Sequence, residues 1–293
     1  MQSPERVSQR YIITLSSIPP RFGQLRPTLE SLLNQTVPAE RVILYLNRRY
    51  RRFPDWDGAP PEVPEGVEIR WVDEDWGPAT KILPALRDFA GQDVDLFFCD
   101  DDQEYRPYLL ERMLKARAAR PEDCIAISPM DDYPAPVGKA RRSDKRHPHV
   151  LRLWKATNVG FHLRDKLCRI GAWLKKRPYV QPARRNILRT GYADGFEGWM
   201  GVLVRPDFFA EEVFDIPEFA WPVDDVWLSG HARRKGHWPW IIGGFGEPIL
   251  EPWSAEEHNG ETALHRAVFG GSDRDDSNLE VVRYFQETYG LWT

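Results

Sequence analysis

Three carboxylates stand in a row at Asp100, Asp101 and Asp102, directly after the apolar run Val94–Cys99 (VDLFFC). Adjacent carboxylates repel one another, and a cation that neutralises them makes the arrangement tolerable. Mg²⁺ takes one or two protein carboxylates and fills its remaining positions with water and phosphate oxygens; Mn²⁺ also accepts oxygen ligands. A diphosphate would supply such oxygens, and the metal would stabilise the charge growing on a departing phosphate. The plainer reading of an acidic triplet is a solvated surface turn. Its place at the end of a buried apolar run argues for the metal.

Other chemistries lack their residues. There is no GxxxxGK[ST] phosphate loop, no GxSxG turn and no Cys/His cluster with zinc spacing. The cysteines number three, Cys99, Cys124 and Cys168, with no CxxC pair. Cys99 and Cys124 lie in apolar runs and read as buried small hydrophobes, which fits a reducing cytosol better than a disulfide scaffold. The N-terminal MQSPERVSQR has no apolar signal core, and no run reaches the ~18 apolar residues of a membrane span. The expectation is a soluble cytoplasmic chain, at most lying on a membrane surface.

The elements that must position the triplet alternate between strand and helix. Tyr11–Leu15, Arg41–Leu46, Val67–Val72, Val94–Cys99 and Cys124–Ser128 read as strands. Helices are expected from near Pro27, over Ala79–Phe89 with Pro84 in its first turn, and over Tyr108–Ala119. Near-continuous apolar strands separated by helices predict an α/β fold with a mainly parallel sheet, whose ligands bind at the carboxyl ends of the strands. The loops after Leu15 and Val72 and the acidic triplet all fall at such ends. The second half is less regular: Glu197–Arg205 and Trp238–Ile242 read as strands, Val223–Lys235 and Leu279–Tyr289 as helices. There is no internal repeat, and a single domain is expected over 1–293, with a nucleotide-binding half at 11–128 and an acceptor half at 129–293.

Charge is unevenly spread. The formal net charge is −4, yet Lys139–Thr190 holds 16 Lys and Arg against two acidic residues, a local +14, and the remainder carries −18. Such an excess repels itself unless something anionic is near, which points to a basic surface facing a polyanion rather than a solvated loop. Trp is abundant at 12 residues; its flat faces serve sugar binding as well as cores.

Four segments in order, TLSSIPPRFGQLRPTLESLLNQTVPAERVILYLN, FFCDDDQEY, FEGWMGVLVR and DDVWLSGHARRKG, resemble GT-A-fold glycosyltransferases of the family 2 type. The likeness covers most of Tyr11–Leu250, with FFCDDDQEY in the place of the DXD motif. The resemblance implies a nucleoside diphosphate sugar donor, UDP-linked by preference, held with Mn²⁺ or Mg²⁺ by Asp100, Asp101 and Asp102. It implies that Thr14, Ser16, Ser17 and Arg21 meet the nucleotide, joined by Asn47, where many relatives carry an acid. Asp75 and Lys81 would line the donor site, Lys81 as a point charge on the diphosphate.

Asp224 and Asp225 stand where inverting relatives carry an acidic pair. Asp225 would take the proton from the acceptor hydroxyl with Asp224 in support; the mundane alternative is stabilisation of a helix N-terminus. Glu197 and Trp199 would sit beside the acceptor, a glycan or lipid-linked and anionic, with peripheral membrane contact and no nucleic acid. His258 is the implied further metal ligand, with His265 near it. Two rivals are a nucleotidyltransferase making the nucleotide sugar, for which SSIPPRFG has too few glycines, and a non-catalytic module binding a glycan or anionic lipid, which leaves the two acidic clusters unexplained.

Overall fold

A computed structural model describes residues 10–130, 133, 145–246, 249–250 and 274–293. Strands β1 (Tyr11–Ser16), β2 (Arg41–Asn47), β3 (Val67–Val72) and β4 (Asp95–Phe98) form a parallel block in the order β3-β2-β1-β4. Their side chains alternate between two cores. Ile12, Leu96 and Phe98 face one, and Ile13, Leu15 and Phe97 face the other. Both faces are therefore buried, as the continuous apolar runs require.

A two-stranded ribbon begins at β5 (Gln103–Glu104), just past the acidic triplet. Beyond it the sheet continues through β6 (Cys124–Met130). The short β7 (Leu151–Arg152) and β8 (Ile187–Arg189) pair with each other outside it. β9 (Gly191–Tyr192), β10 (Gly195–Val204) and β11 (Pro239–Ile241) complete the eight strands in the order β3-β2-β1-β4-β10-β6-β11-β9, and β12 (Ile249–Leu250) pairs with β5. β10 runs antiparallel between β4 and β6, and β9 antiparallel to β11, so the sheet is mixed but mostly parallel.

Helices α1 (Arg26–Leu33) and α3 (Leu109–Ala119) cover one face. α2 (Leu83–Asp88), α5 (Asp224–Arg234) and α6 (Arg274–Tyr289) cover the other. α4 (Val159–Leu174) lies in the basic segment, and only Phe161 of its residues is buried. The expected α/β architecture is present, with two refinements. The Ala79–Phe89 helix is divided into a 3-10 turn, Gly77–Lys81, and α2, which puts Pro84 in a first turn where its missing N–H costs nothing. The basic segment contains a four-turn helix that its charge density conceals. Among the described residues no helix is long and apolar enough to cross a membrane.

Candidate active site

The carboxyl ends of β1 to β4 open on one edge of the sheet, and a cleft of about 600 Å³ lies there. β4 ends at Phe98, and the chain turns through Cys99 into the triplet. Asp101 points inward. Ser17 and Arg21, from the loop after β1, both donate to its carboxylate, Arg21 Nη1 at 2.7 Å, and Thr28 Oγ1 donates to its carbonyl at 3.0 Å. Asp101 thus ties the β1 loop to the β4 turn. Asp100 and Asp102 keep about a third and a fifth of their side-chain surface exposed. Burial, then repulsion from Asp101 and Asp100, pushes the Asp102 pKa up to about 7.

Lys81, at the end of the Gly77–Lys81 turn, is the hinge of the electrostatics. It is almost fully buried, with Nζ 2.7 Å from Asp100 Oδ1 and 3.0 Å from Asp224 Oδ2. Burial alone would lower its pKa, but Asp100, Asp224 and Asp225 hold it well above the ordinary lysine value. Asp224 and Asp225 form the first turn of α5. Ser229 Oγ on the same helix accepts from the Phe196 N–H at 3.0 Å, which fixes α5 against β10. Neither acid caps its own helix by a side-chain bond; Asp225 Oδ1 instead accepts from the Gly198 N–H at 2.8 Å. Burial, then Asp224, raises the Asp225 pKa to about 8.

β10 carries a bulge between Glu197, opposite Ser128, and Val202, opposite Ala126. Two glycines make it possible. A Cβ on Gly198 would stand 2.8 Å from Lys81 Nζ, and Gly201, at φ +93°, lies against the Phe97 ring. The bulge aims Trp199 at the cleft. Its indole Nε1 donates to Glu197 Oε2 at 2.9 Å, and Ser128 Oγ donates to the same carboxylate oxygen. Its carbonyl is held by Gln103 and by the Tyr105 hydroxyl at 3.0 Å.

On the other side of the cleft Asn47 Nδ2 donates to Asp75 Oδ1 at 3.1 Å, and Asp75 also accepts the N–H groups of Gly77 and Arg51. Asn47 Oδ1 is buried there without a hydrogen-bond partner among the described residues.

The expected residues Ser16, Ser17, Arg21, Asn47, Asp75, Lys81, Asp100, Asp101, Asp102, Glu197, Trp199, Asp224 and Asp225 all line this one cleft. Thr14 lies apart from them. It is fully buried inside β1, its hydroxyl directed at the Phe97 carbonyl, and it does not reach the cleft. It shares a strand face with Ser16, which does line the cleft, but lies two residues deeper in β1. His258, like His265, lies outside the described residues.

The cleft also takes residues that sequence reasoning misses: Tyr50, Arg52 and Phe53 after β2, Met130 at the end of β6, Trp221 and Pro222 before α5, and Arg274, Asp275 and Asn278 at the start of α6. Trp221 carries a signal, lying three residues before the acidic pair. Arg274 carries none.

The lining holds eight acidic side chains (Asp75, Asp100, Asp101, Asp102, Glu197, Asp224, Asp225 and Asp275) and four basic ones (Arg21, Arg52, Lys81 and Arg274). An anion would be repelled from such a surface unless a cation entered with it. Among the described residues no group of three His, Cys, Asp or Glu side chains is gathered to hold a metal ion. The part-exposed Asp100 and Asp102 are nonetheless the one-or-two-carboxylate donor set that suits a hard cation sharing its shell with phosphate and water.

No protein-family model and no curated protein matches this chain. Among solved structures, the crystal structure of S. aureus TarS 1–349 in complex with UDP aligns with 96% of this chain and 73% of that one, at 10% identity and a TM-score of 0.42. A second crystal structure of S. aureus TarS aligns at 8% identity and a TM-score of 0.43. It again covers 96% of this chain, which spans less than half (44%) of that one. Likeness at this level carries no argument about chemistry, and the functional reading rests on the cleft.

Proposed function

We propose that this protein is a metal-dependent glycosyltransferase that moves a sugar from a UDP-linked donor to an acceptor hydroxyl with inversion at the anomeric carbon. One observation carries the reading. The acidic turn after β4 and the acidic pair opening α5 meet in a single cleft, joined through Lys81 at 2.7 and 3.0 Å. The first is suited to a diphosphate with its cation, the second to a proton in flight, and a transferase needs both within one substrate's length.

Asp102 and Asp100 would hold Mn²⁺ or Mg²⁺, which supplies charge neutralisation for the leaving diphosphate. Lys81 adds a fixed positive charge on the same side, 3.0 Å from Asp224. Asn47, with its unpartnered Oδ1, and Asp75 form the nucleotide end of the cleft. Asp225 takes the proton from the attacking hydroxyl. Its raised pKa gives it the proton affinity of a useful base near neutral pH. Gly198 N–H fixes Oδ1 of that carboxylate, and the Trp199 ring, held by Glu197, offers a flat face to the acceptor sugar.

Thermal denaturation with UDP, Mn²⁺ and the two together tests the reading. Binding to the folded state raises stability by RT ln(1 + [L]/Kd), about 2.7 kcal/mol at a hundredfold excess over Kd. A shift with UDP that requires Mn²⁺ is expected. No shift with UDP under any metal condition contradicts it and favours a non-catalytic module.

A further inference from the structure

A helix in a globular protein turns its apolar stripe to the core and its charges to water. α4 does the reverse. Val159, Leu163, Leu167, Ile170, Trp173 and Leu174 fall on one side at three- and four-residue spacing, and all are exposed, from 46% at Ile170 to 78% at Trp173. Phe161, its one buried residue, lies on the opposite side. The helix is capped, Asn158 accepting from the Phe161 N–H at 3.0 Å, and its N-terminal side is tied to the segment leading into β8 by Asn158 Nδ2 on the Arg185 carbonyl. It is therefore a built element whose stripe the described residues leave uncovered. Trp154 and Val180 extend the exposed apolar surface past both ends.

What would cover the stripe is indicated by charge. Residues 145–190 carry 13 Lys and Arg and one acid, Asp165. That acid is already engaged by Arg169 at 2.9 Å and by the Tyr179 hydroxyl. A second copy would bring a like-charged face against this one and be repelled. An anionic lipid surface attracts it and also accepts apolar side chains beneath the headgroups, with Trp favoured at that boundary. Sixteen residues are too few to span a bilayer and ample to lie along one.

We propose that α4 is an interfacial helix that docks this protein on an anionic lipid bilayer, its apolar stripe among the upper acyl chains and its flanking Lys and Arg on the headgroups. Arg152 of β7, which precedes the helix by a 3-10 turn, donates to the Pro129 carbonyl at the carboxyl end of β6, next to Met130 of the cleft lining. The strand β7 that leads towards the helix is thus tied to the edge of the sheet where the cleft opens. If the transferase reading holds, a lipid-borne acceptor would reach the cleft from that surface. Bilayer binding itself does not depend on that reading.

Co-sedimentation of the full chain with phosphatidylcholine vesicles, with and without phosphatidylglycerol, tests the docking. The wild type is expected to bind the anionic vesicles, to bind neutral ones far less, and to weaken with salt. Replacing Leu163, Leu167 and Trp173 together by Ser is expected to lower binding at least ~10-fold. Replacing Lys175, Lys176 and Arg177 by Ser should give a loss of roughly the same order. An environment-sensitive dye on Leu163→Cys, in a Cys168→Ser background, should shift to the blue on anionic vesicles, and it decides the matter if the Ser variant fails to fold.

Any of three results would overturn the proposal: wild type left in the supernatant with anionic vesicles, a dye that does not shift, or a folded stripe variant that binds as well as the wild type. Dimerisation that the stripe variant abolishes, without vesicle binding, would also overturn it and assign the face to a second copy instead.

Discussion

The two ends of β4 carry the same residue type with opposite consequences. At the amino end, Asp95 and Arg117 are each about 1% exposed and 2.8 Å apart. Arg117 spends its other donors on the carbonyls of Arg120, Pro121, Asp123 and Leu203. Arg205 adds a second cation 3.7 Å from Asp95, so the acid there is fully offset. At the carboxyl end, Asp100, Asp101, Asp102, Asp224 and Asp225 converge on Lys81 and Arg21. The first arrangement locks the fold. The second leaves negative charge that something from outside must offset, which is how a binding site differs from a structural ion pair when both are buried.

Breaking each end should separate the two roles. Asp225→Asn keeps the shape but cannot take a proton, and turnover should fall ~10²–10⁴-fold with UDP affinity nearly unchanged. A loss below about threefold, far under that range, would move the base elsewhere, with Asp224 the next candidate. Removing one partner of a buried pair costs about 3–5 kcal/mol, so Arg117→Met should lower the unfolding free energy by that much in denaturant titrations while activity per folded molecule persists. Lys81→Met should lose both stability and turnover, because it strips charge from Asp100 and Asp224 at once. Equal activity losses in the two variants would dissolve the distinction.

Protonation sharpens the contrast. As the proposed base, Asp225 would act only when ionised, and its pKa stands at about 8, so kcat/KM should rise with pH and level off above that value. Stability runs the other way. The folded protein keeps on Asp225 a proton that the unfolded chain, at the ordinary value of 3.8, releases. This contribution is full below 3.8 and is lost as pH rises through about 8.

His231 on α5 has the opposite sign. Burial lowers its pKa to about 4, and neither ring nitrogen has a hydrogen-bond partner among the described residues. Its contribution is full above 6.5 and is lost as pH falls through about 4, about 3 kcal/mol at most. His231→Leu should flatten that acid limb in urea titrations without altering the pH–rate curve. A variant that changes the rate profile would tie His231 to the site.

Much of the parallel half is legible in the sequence because its physics is local. VDLFFC is apolar enough to be buried on both faces, so it must be a central strand, and the residues after it must emerge at a carboxyl edge. Pro84 limits its helix to a first-turn start, which the division of that segment respects. Thr14 stands apart because it shares the face of Ser16 but lies two residues short of the end of β1, too deep in the sheet to reach the edge. α4 is hard to see because Arg164, Lys166 and Arg169 are interleaved with Leu163, Leu167 and Ile170, so charge density outweighs an apolar period that is plainly there. Arg274 enters the cleft from the far end of the chain through the packing of α6 on α5, a contact that no local pattern encodes.

The central claim is that the surplus of carboxylates serves a metal-assisted sugar transfer. Release of UDP from a panel of UDP-sugars, measured with Mn²⁺, with EDTA, and with Asp102→Ala, tests it most directly. Turnover of at least one donor that EDTA abolishes and Asp102→Ala nearly abolishes, with the variant still folded, is the predicted result. Undiminished turnover in EDTA and in the variant, or no turnover of any nucleotide sugar, would contradict it.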